Sequence, residues 1–198
     1  MQLIENHFFV INNRIDPGWR EGTAVWGFFG NLFFRLKYYF LVFRGLLNPP
    51  IDSLIGACIK PGSRILDYGC GPGDYTMPAA KIVGNSGKVY ALDTHPSAIN
   101  RVQKLAIRKG LKNIKTLLSD GKIGLENDSV DVVLLHEVSH THVALREIHR
   151  VLRSGGILYF SDHQIHIRDD KIVSSLTNTG LFRLSSKGMK TFNLVKIG

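Results

Sequence analysis

From Ile51 onward the chain alternates short apolar runs with amphipathic segments of helical length, the pattern of a parallel α/β sheet. The apolar runs predict strands at Arg64–Tyr68, Lys88–Asp93, Ile114–Ser119, Val130–His136 and Ile157–Ser161. Asp131-Val132-Val133-Leu134-Leu135 shows none of the alternation of a half-exposed strand, so such runs are expected to be buried on both faces. The intervals predict helices at Tyr75–Val83, Ser97–Lys109 and Val143–Leu152, with a weaker one at Asp169–Asn178. Leu181–Leu184 and Thr191–Lys196, joined by Ser185-Ser186-Lys187-Gly188, read as an antiparallel hairpin closing the sheet. The expected domain is therefore a doubly wound, mostly parallel sheet of seven strands. No internal repeat or low-complexity linker interrupts it.

The first fifty residues are patterned differently. Trp26, Phe29, Phe33, Leu36, Phe40, Phe43 and Leu47 recur at alternating three- and four-residue spacing, as on one face of a helix. Phe28, Phe34, Tyr38, Tyr39, Leu41 and Val42 lie off that stripe, so the helix would be apolar nearly all round and would need a second burial partner. A hydrophobic substrate, a membrane surface and a second subunit (a homodimer) all meet that need, beside simple packing on its own domain. Asn48-Pro49-Pro50 would end the helix. The chain thus divides into an aromatic helical arm over 1–50 and an α/β domain over 51–198. Arg35, Lys37 and Arg44 within Ala24–Leu47 argue against a membrane-spanning helix.

Composition narrows the chemistry. The 198 residues suffice for one domain with a real core plus an appendage. Twenty-five Lys and Arg against sixteen Asp and Glu give a formal net charge of +9, which permits polyanionic or acidic-membrane partners without demanding them. Cys58 and Cys70 are too few for a disulfide framework or a thiolate metal site, and their use suits a reducing cytosol. The start of the chain lacks a basic segment followed by an apolar run, so a secretory signal is not expected and the cytoplasm is.

The sharpest local signal is Ile65-Leu66-Asp67-Tyr68-Gly69-Cys70-Gly71-Pro72-Gly73, a strand running into three alternating glycines and then a helix. Glycines there let the backbone turn tightly and approach a ligand at a helix N-terminus. The dinucleotide fingerprint needs its third glycine one residue later, where this chain has Asp74. Asp93 ends the second predicted strand and Asp120 follows the third, both on the edge where open α/β sheets bind ligands. The first is placed for a ribose diol and the second for an exocyclic amine. With Asp67 and Asp74 they describe a pocket for a nucleoside that carries no phosphate.

These residues resemble those of the class I S-adenosylmethionine-dependent methyltransferases. The likeness rests on the glycine loop, on Ala91-Leu92-Asp93, on Ser119-Asp120-Gly121, on Asp131 to His136, and on Leu145-Arg146-Glu147-Ile148-His149-Arg150-Val151-Leu152-Arg153-Ser154-Gly155-Gly156. That last segment is similar to the small-molecule branch (methyltransferase type 11) that includes quinone-biosynthesis enzymes. The resemblance implies a Rossmann-like fold with S-adenosylmethionine as cofactor. It implies that Gly69, Gly71 and Gly73, with Tyr68 in the same loop, approach the methionine part while Asp67 anchors the loop. Asp93 would take the ribose hydroxyls, Thr94 would lie beside the adenine, Asp120 would face its amine and Gly121 its ring. His136 would contact cofactor and substrate.

His136-Glu137-Val138-Ser139-His140-Thr141-His142 holds candidate bases, and His136, Glu137 or His140 could take a proton from the acceptor. His136-Glu137-Val138-Ser139-His140 has the His-Glu-x-x-His order, but the segment is read as crossing from strand to loop and not as one helix that would present both histidines on a face, so no metal is expected there. His163 and His166 follow the fifth strand and face either the same cleft or solvent. Arg101, Lys104, Arg108, Lys109, Lys112, Lys115 and Lys122 form a basic cluster whose ordinary reading is a solvated outer face. The fourth strand lacks the Asn/Asp-Pro-Pro-Tyr/Phe sequence with which base-modifying methyltransferases hold an extruded base. The expected function is methyl transfer to a small hydrophobic or aromatic acceptor. An RNA methyltransferase and a non-catalytic, cofactor-binding or membrane-associated module are the alternatives.

Overall fold

The structure, a computed structural model, describes residues 54–119, 122–136, 142–161, 169–188 and 191–198, all within the compact unit Leu41–Gly198. The aromatic arm, Asp120, Gly121, Glu137, His140, His163 and His166 lie outside the described residues.

After a 3₁₀ turn at Ile55–Ala57 come β1 (Arg64–Tyr68), α1 (Thr76–Val83), β2 (Lys88–Asp93), α2 (Pro96–Arg108), β3 (Ile114–Leu118), β4 (Val130–His136), α3 (His142–Val151), β5 (Leu152–Ser161), α4 (Asp169–Thr177), β6 (Phe182–Lys187) and β7 (Thr191–Lys196). They form one seven-stranded sheet ordered β3-β2-β1-β4-β5-β7-β6. β1 to β5 run parallel, and β7 pairs antiparallel with both β5 and β6. The strand order reverses between β1 and β4, and their C-terminal ends open the crevice where folds of this kind place ligands.

Consecutive side chains of the central strands enter opposite layers. Leu66, Val133, Leu135, Leu158 and Phe160 pack with Leu145, Ile148 and Leu176 on one face. Ile65, Val132, Leu134 and Tyr159 pack with Ala79, Ala80 and Val83 on the other. The unbroken apolar runs follow from this arrangement, because no residue of such a strand faces water.

Two boundaries differ from the sequence reading by more than one residue. β5 begins at Leu152, five residues before Ile157, because Leu152 pairs with Val130 and a register irregularity between Val130 and Val132 accommodates the glycine pair in mid-strand. β6 continues through Ser185, Ser186 and Lys187, which the sequence assigns to the hairpin turn. It is an edge strand with five of its six residues exposed, so polar side chains cost nothing there, and a register shift between Leu184 and Ser186 keeps the pairing.

One buried polar residue that the pattern does not reveal fastens two elements. The Asn113 side chain donates to the carbonyls of Ala80 (2.7 Å) and Gly84 (2.8 Å), satisfying groups left open at the end of α1 and tying them to the start of β3. Asn113→Ala therefore lowers stability by about 2 kcal/mol, read as a lower urea midpoint at unchanged slope.

Candidate functional site

The strand-to-helix passage after β1 is a left-handed turn at every second residue, with φ of 78° at Gly69, 50° at Gly71 and 92° at Gly73. Only glycine takes these values without strain. The Gly69 and Cys70 N–H groups donate to the Leu92 carbonyl at 2.8 and 2.9 Å, docking the loop onto the end of β2. Asp93 completes the join. Its Oδ2 accepts from the Gly71 N–H (2.9 Å) and its Oδ1 from the His95 N–H (2.8 Å), so one carboxylate holds both the glycine loop and the turn into α2. An ionised carboxylate offers about four acceptor positions. Two are used here, and capacity remains for a diol.

The two later glycines have different surroundings. A Cβ on Gly73 would meet Val102 Cγ2 at 3.1 Å and Met77 Cε at 3.4 Å, whereas a Cβ on Gly71 would meet no protein atom within 4 Å. The loop thus packs on its own domain at Gly73 and faces open space at Gly71. That space, bordered by Asp93, fits the nucleoside end of a cofactor.

Asp67 sits beneath the loop at 2% exposure and accepts a 2.5 Å hydrogen bond from the Thr76 hydroxyl in the first turn of α1. It anchors the loop through Thr76. Burial pushes its carboxyl from 3.8 up to about 7, opposed by the Thr76 hydrogen bond and reinforced by Asp93 and Asp74. Near neutrality this carboxyl contributes only part of a charge, so the repulsion expected against a phosphate rests on the other acids. The Cys70 thiol is buried in the loop, and burial, then the charges of Asp67 and Asp93, raise its pKa far above the ordinary range. It is packing and not a nucleophile.

His136 ends β4 beside the loop, since Tyr68 is in register with Leu135. Its ring is 8% exposed and stacks face to face on Tyr75, centroids 3.5 Å apart, with the edge of Tyr159 at 5.6 Å. This packing makes a wall of the crevice, a role the sequence reading did not distinguish from that of a base, and Tyr75 is a member it missed. The stack joins α1 to β4 across chain that has no shared motif. Tyr68 is half-buried against the core, with its phenol pushed up by burial and by Glu147. Thr94 is exposed just past β2.

The segment after β3 is held from two sides. The Ser119 N–H donates to the Asp93 carbonyl at 3.1 Å, and its hydroxyl donates to the Lys122 carbonyl, bracketing positions 120 and 121. Farther on, Arg150 forks onto Glu147 (2.8 and 2.9 Å) while donating to the Leu125 carbonyl and Asn127 Oδ1; Glu147 accepts from the Ile123 N–H. The Arg150 hydrogen bond holds the Glu147 carboxyl below its usual range. In the Leu-Arg-Glu-x-x-Arg segment, then, Glu147 and Arg150 fasten the chain leading from the Asp120 position into β4. Among the described residues no group of three His, Cys, Asp or Glu side chains could hold a metal ion.

The sheet order, the glycine loop and the acid after β2 define a class I methyltransferase architecture, with S-adenosylmethionine as its cofactor. Residues 59–191 match the model of a family described as "Methyltransferase domain", and the chain belongs to that family. It is 32% identical over 120 residues to demethylmenaquinone methyltransferase of Geobacillus stearothermophilus, covering 58% of this chain and 51% of that one. It is 39% identical over 74 residues to aklanonic acid methyltransferase DauC of a Streptomyces species, covering 37% and 34%. The chain thus spans between a third and about half of these relatives' length. A solved SAM dependent methyltransferase from Aquifex aeolicus superposes with a TM-score of 0.64 at 27% identity, covering 74% of this chain and 88% of that one.

The surroundings of the glycines separate folding from binding. Gly73→Ala is expected to lower stability by about 2 kcal/mol or more through φ strain plus the Val102 contact. Gly71→Ala costs about 1 kcal/mol of strain yet weakens cofactor affinity at least tenfold, since its methyl enters the open space. Urea unfolding and calorimetry on both variants check this.

Asp67 makes stability depend on pH. Its folded pKa lies above the unfolded one, so its contribution is most favourable below 3.8 and is lost as pH rises toward about 7. Asn at this site can still accept from Thr76 but does not ionise. The stability of Asp67→Asn relative to wild type should therefore rise by about 1.4 kcal/mol per pH unit through that window and level off above it. A difference independent of pH in urea unfolding would mean that the carboxyl is ionised throughout.

Proposed function

We propose that this chain transfers the methyl group of S-adenosylmethionine to a small hydrophobic or aromatic acceptor. The observation that carries the reading is the Asp93 carboxylate, anchored to Gly71 and His95 beside the open face of the glycine loop. Family membership and the relatives named for demethylmenaquinone and aklanonic acid support a small acceptor over a macromolecular one.

The bound cofactor would supply an electrophilic methyl on a sulfonium, and displacement from it depends mainly on alignment. This chain's part is to hold the nucleoside with Asp93 and the loop backbone, to provide an acceptor at Asp120 for the adenine amine, and to wall the crevice with Tyr75 and His136. Glu137 or His140, in the segment after β4, takes the acceptor's proton when one must leave. Cysteine usage supports a reducing compartment, and so the cytoplasm.

Incubation of the full chain with methyl-labelled S-adenosylmethionine and a panel of demethylated quinones, aromatic polyols and transfer RNA tests this. Label should pass to a solvent-extractable acceptor and not to RNA. Glu137→Gln or His140→Ala, whichever residue is the base, should lower kcat about a hundredfold or more while leaving cofactor affinity unchanged. Label in RNA, lost steeply with salt, would favour the RNA methyltransferase instead. Cofactor binding without turnover on any acceptor would favour the non-catalytic module.

A further inference from the structure

The face of the domain formed by the second half of α2, the turn after it and edge strand β3 lies apart from the cofactor crevice. α2 starts beside Asp93 at the C-terminal end of the sheet and runs toward the opposite end, where the chain turns into β3. From Thr94 to Ser119 there are six Lys and Arg and no Asp or Glu. The elements packed against α2 add no carboxylate at that end: α1 brings Lys81 and β2 brings Lys88, while Asp93 is at the far end of its strand.

Between α2 and β3 runs a groove of about 640 Å³ with Ala106, Leu111 and Ile114 in its lining and Lys112 and Lys115 beside them. Gln103 braces it by donating to Thr116 Oγ1 at 2.8 Å. Ile107 stands on its border with 82% of its surface exposed. Lys104 and Arg108 are one helical turn apart on the exposed side of α2.

Lysines on an edge strand serve to prevent sheet-to-sheet pairing, and a solvated helix face is commonly charged. Neither need calls for a bare isoleucine amid cations of one sign, and a solvated face ordinarily mixes both signs. Apolar side chains surrounded by Lys and Arg instead match a bilayer surface of anionic headgroups over acyl chains. Single-stranded nucleic acid wants aromatic platforms for its bases, and Thr94–Ser119 contains no Phe, Tyr or Trp.

We propose that the α2–β3 face docks on anionic phospholipid membrane, with Lys104, Arg108, Lys112 and Lys115 at headgroup phosphates and Ile107 inserted among them. The strand ends that form the cofactor crevice stay clear of the bilayer. This inference does not rest on the methyltransferase reading.

Cosedimentation of the full chain with phosphatidylcholine vesicles and with mixed phosphatidylcholine–phosphatidylglycerol vesicles tests it; far-UV circular dichroism and urea unfolding check the fold of each variant, and S-adenosylmethionine titration is run beside them. The wild type should bind only the anionic vesicles and weaken with salt. Each basic residue near such a surface changes partitioning about fivefold, so Lys112→Glu/Lys115→Glu should lose at least tenfold. Ile107→Ser should lose severalfold with its salt dependence unchanged. Lys112→Gln/Lys115→Gln gives the same reading if the charge reversal fails to fold. Absence of anionic vesicle binding overturns the proposal, as does equal binding by the lysine variants, which would locate the contact elsewhere, the arm included. Binding of transfer RNA without vesicle binding overturns it in favour of nucleic acid. Vesicle binding as expected, without cofactor binding, would count against the methyltransferase reading alone.

Discussion

The Asp93 carboxylate accepts one hydrogen bond from the glycine loop and another from the turn into α2, and the form of the site depends on this double attachment. The loop has glycines at three left-handed positions and would otherwise have wide conformational freedom. Asp93 fixes it at Gly71, the Leu92 carbonyl fixes it at Gly69 and Cys70, and Thr76 fixes its far end to Asp67. Two of these attachments lie on β2 and the third joins β1 to α1, so the loop takes its shape from the sheet and not from local preference alone.

The sheet supplies the rest. Parallel strands with helices on both faces bring successive strand ends to one edge, and the reversal between β1 and β4 leaves a gap in the helical cover there. The ends of β1, β2 and β4 deliver the glycine loop, Asp93 and His136 to that edge from sequence positions far apart. Around it, interactions with no chemical role hold the partners in place: the Glu147–Arg150 pair fastens the chain before β4, and Asn113 fastens α1 to β3.

Most of this order was legible because burial on two faces leaves a plain signature. Five parallel strands stood out as apolar runs, and Lys88–Asp93, Val130–His136 and Thr191–Lys196 have the boundaries their sequences suggest. The failures occurred where burial does not constrain composition. The exposed edge strand β6 accepts serines that look like a turn, and β5 begins in a glycine-containing segment that only its pairing with Val130 makes a strand. At the site, Asp93 was legible from its place at a strand end. The stacking of Tyr75 on His136 was not, because contacts between rings on separate elements leave no local pattern, and the titration of Asp67 depends on a burial that only the folded loop creates.

The most direct test of the central claim, that Asp93 builds a nucleoside site by holding the glycine loop, is calorimetric titration with S-adenosylmethionine and S-adenosylhomocysteine, beside NADH, on the wild type and Asp93→Ala. The account predicts saturable binding of both sulfur nucleosides by the wild type, none of NADH, and at least tenfold weaker binding by a variant that remains folded. Failure of the folded wild type to bind either sulfur nucleoside, or undiminished binding by Asp93→Ala, would contradict it.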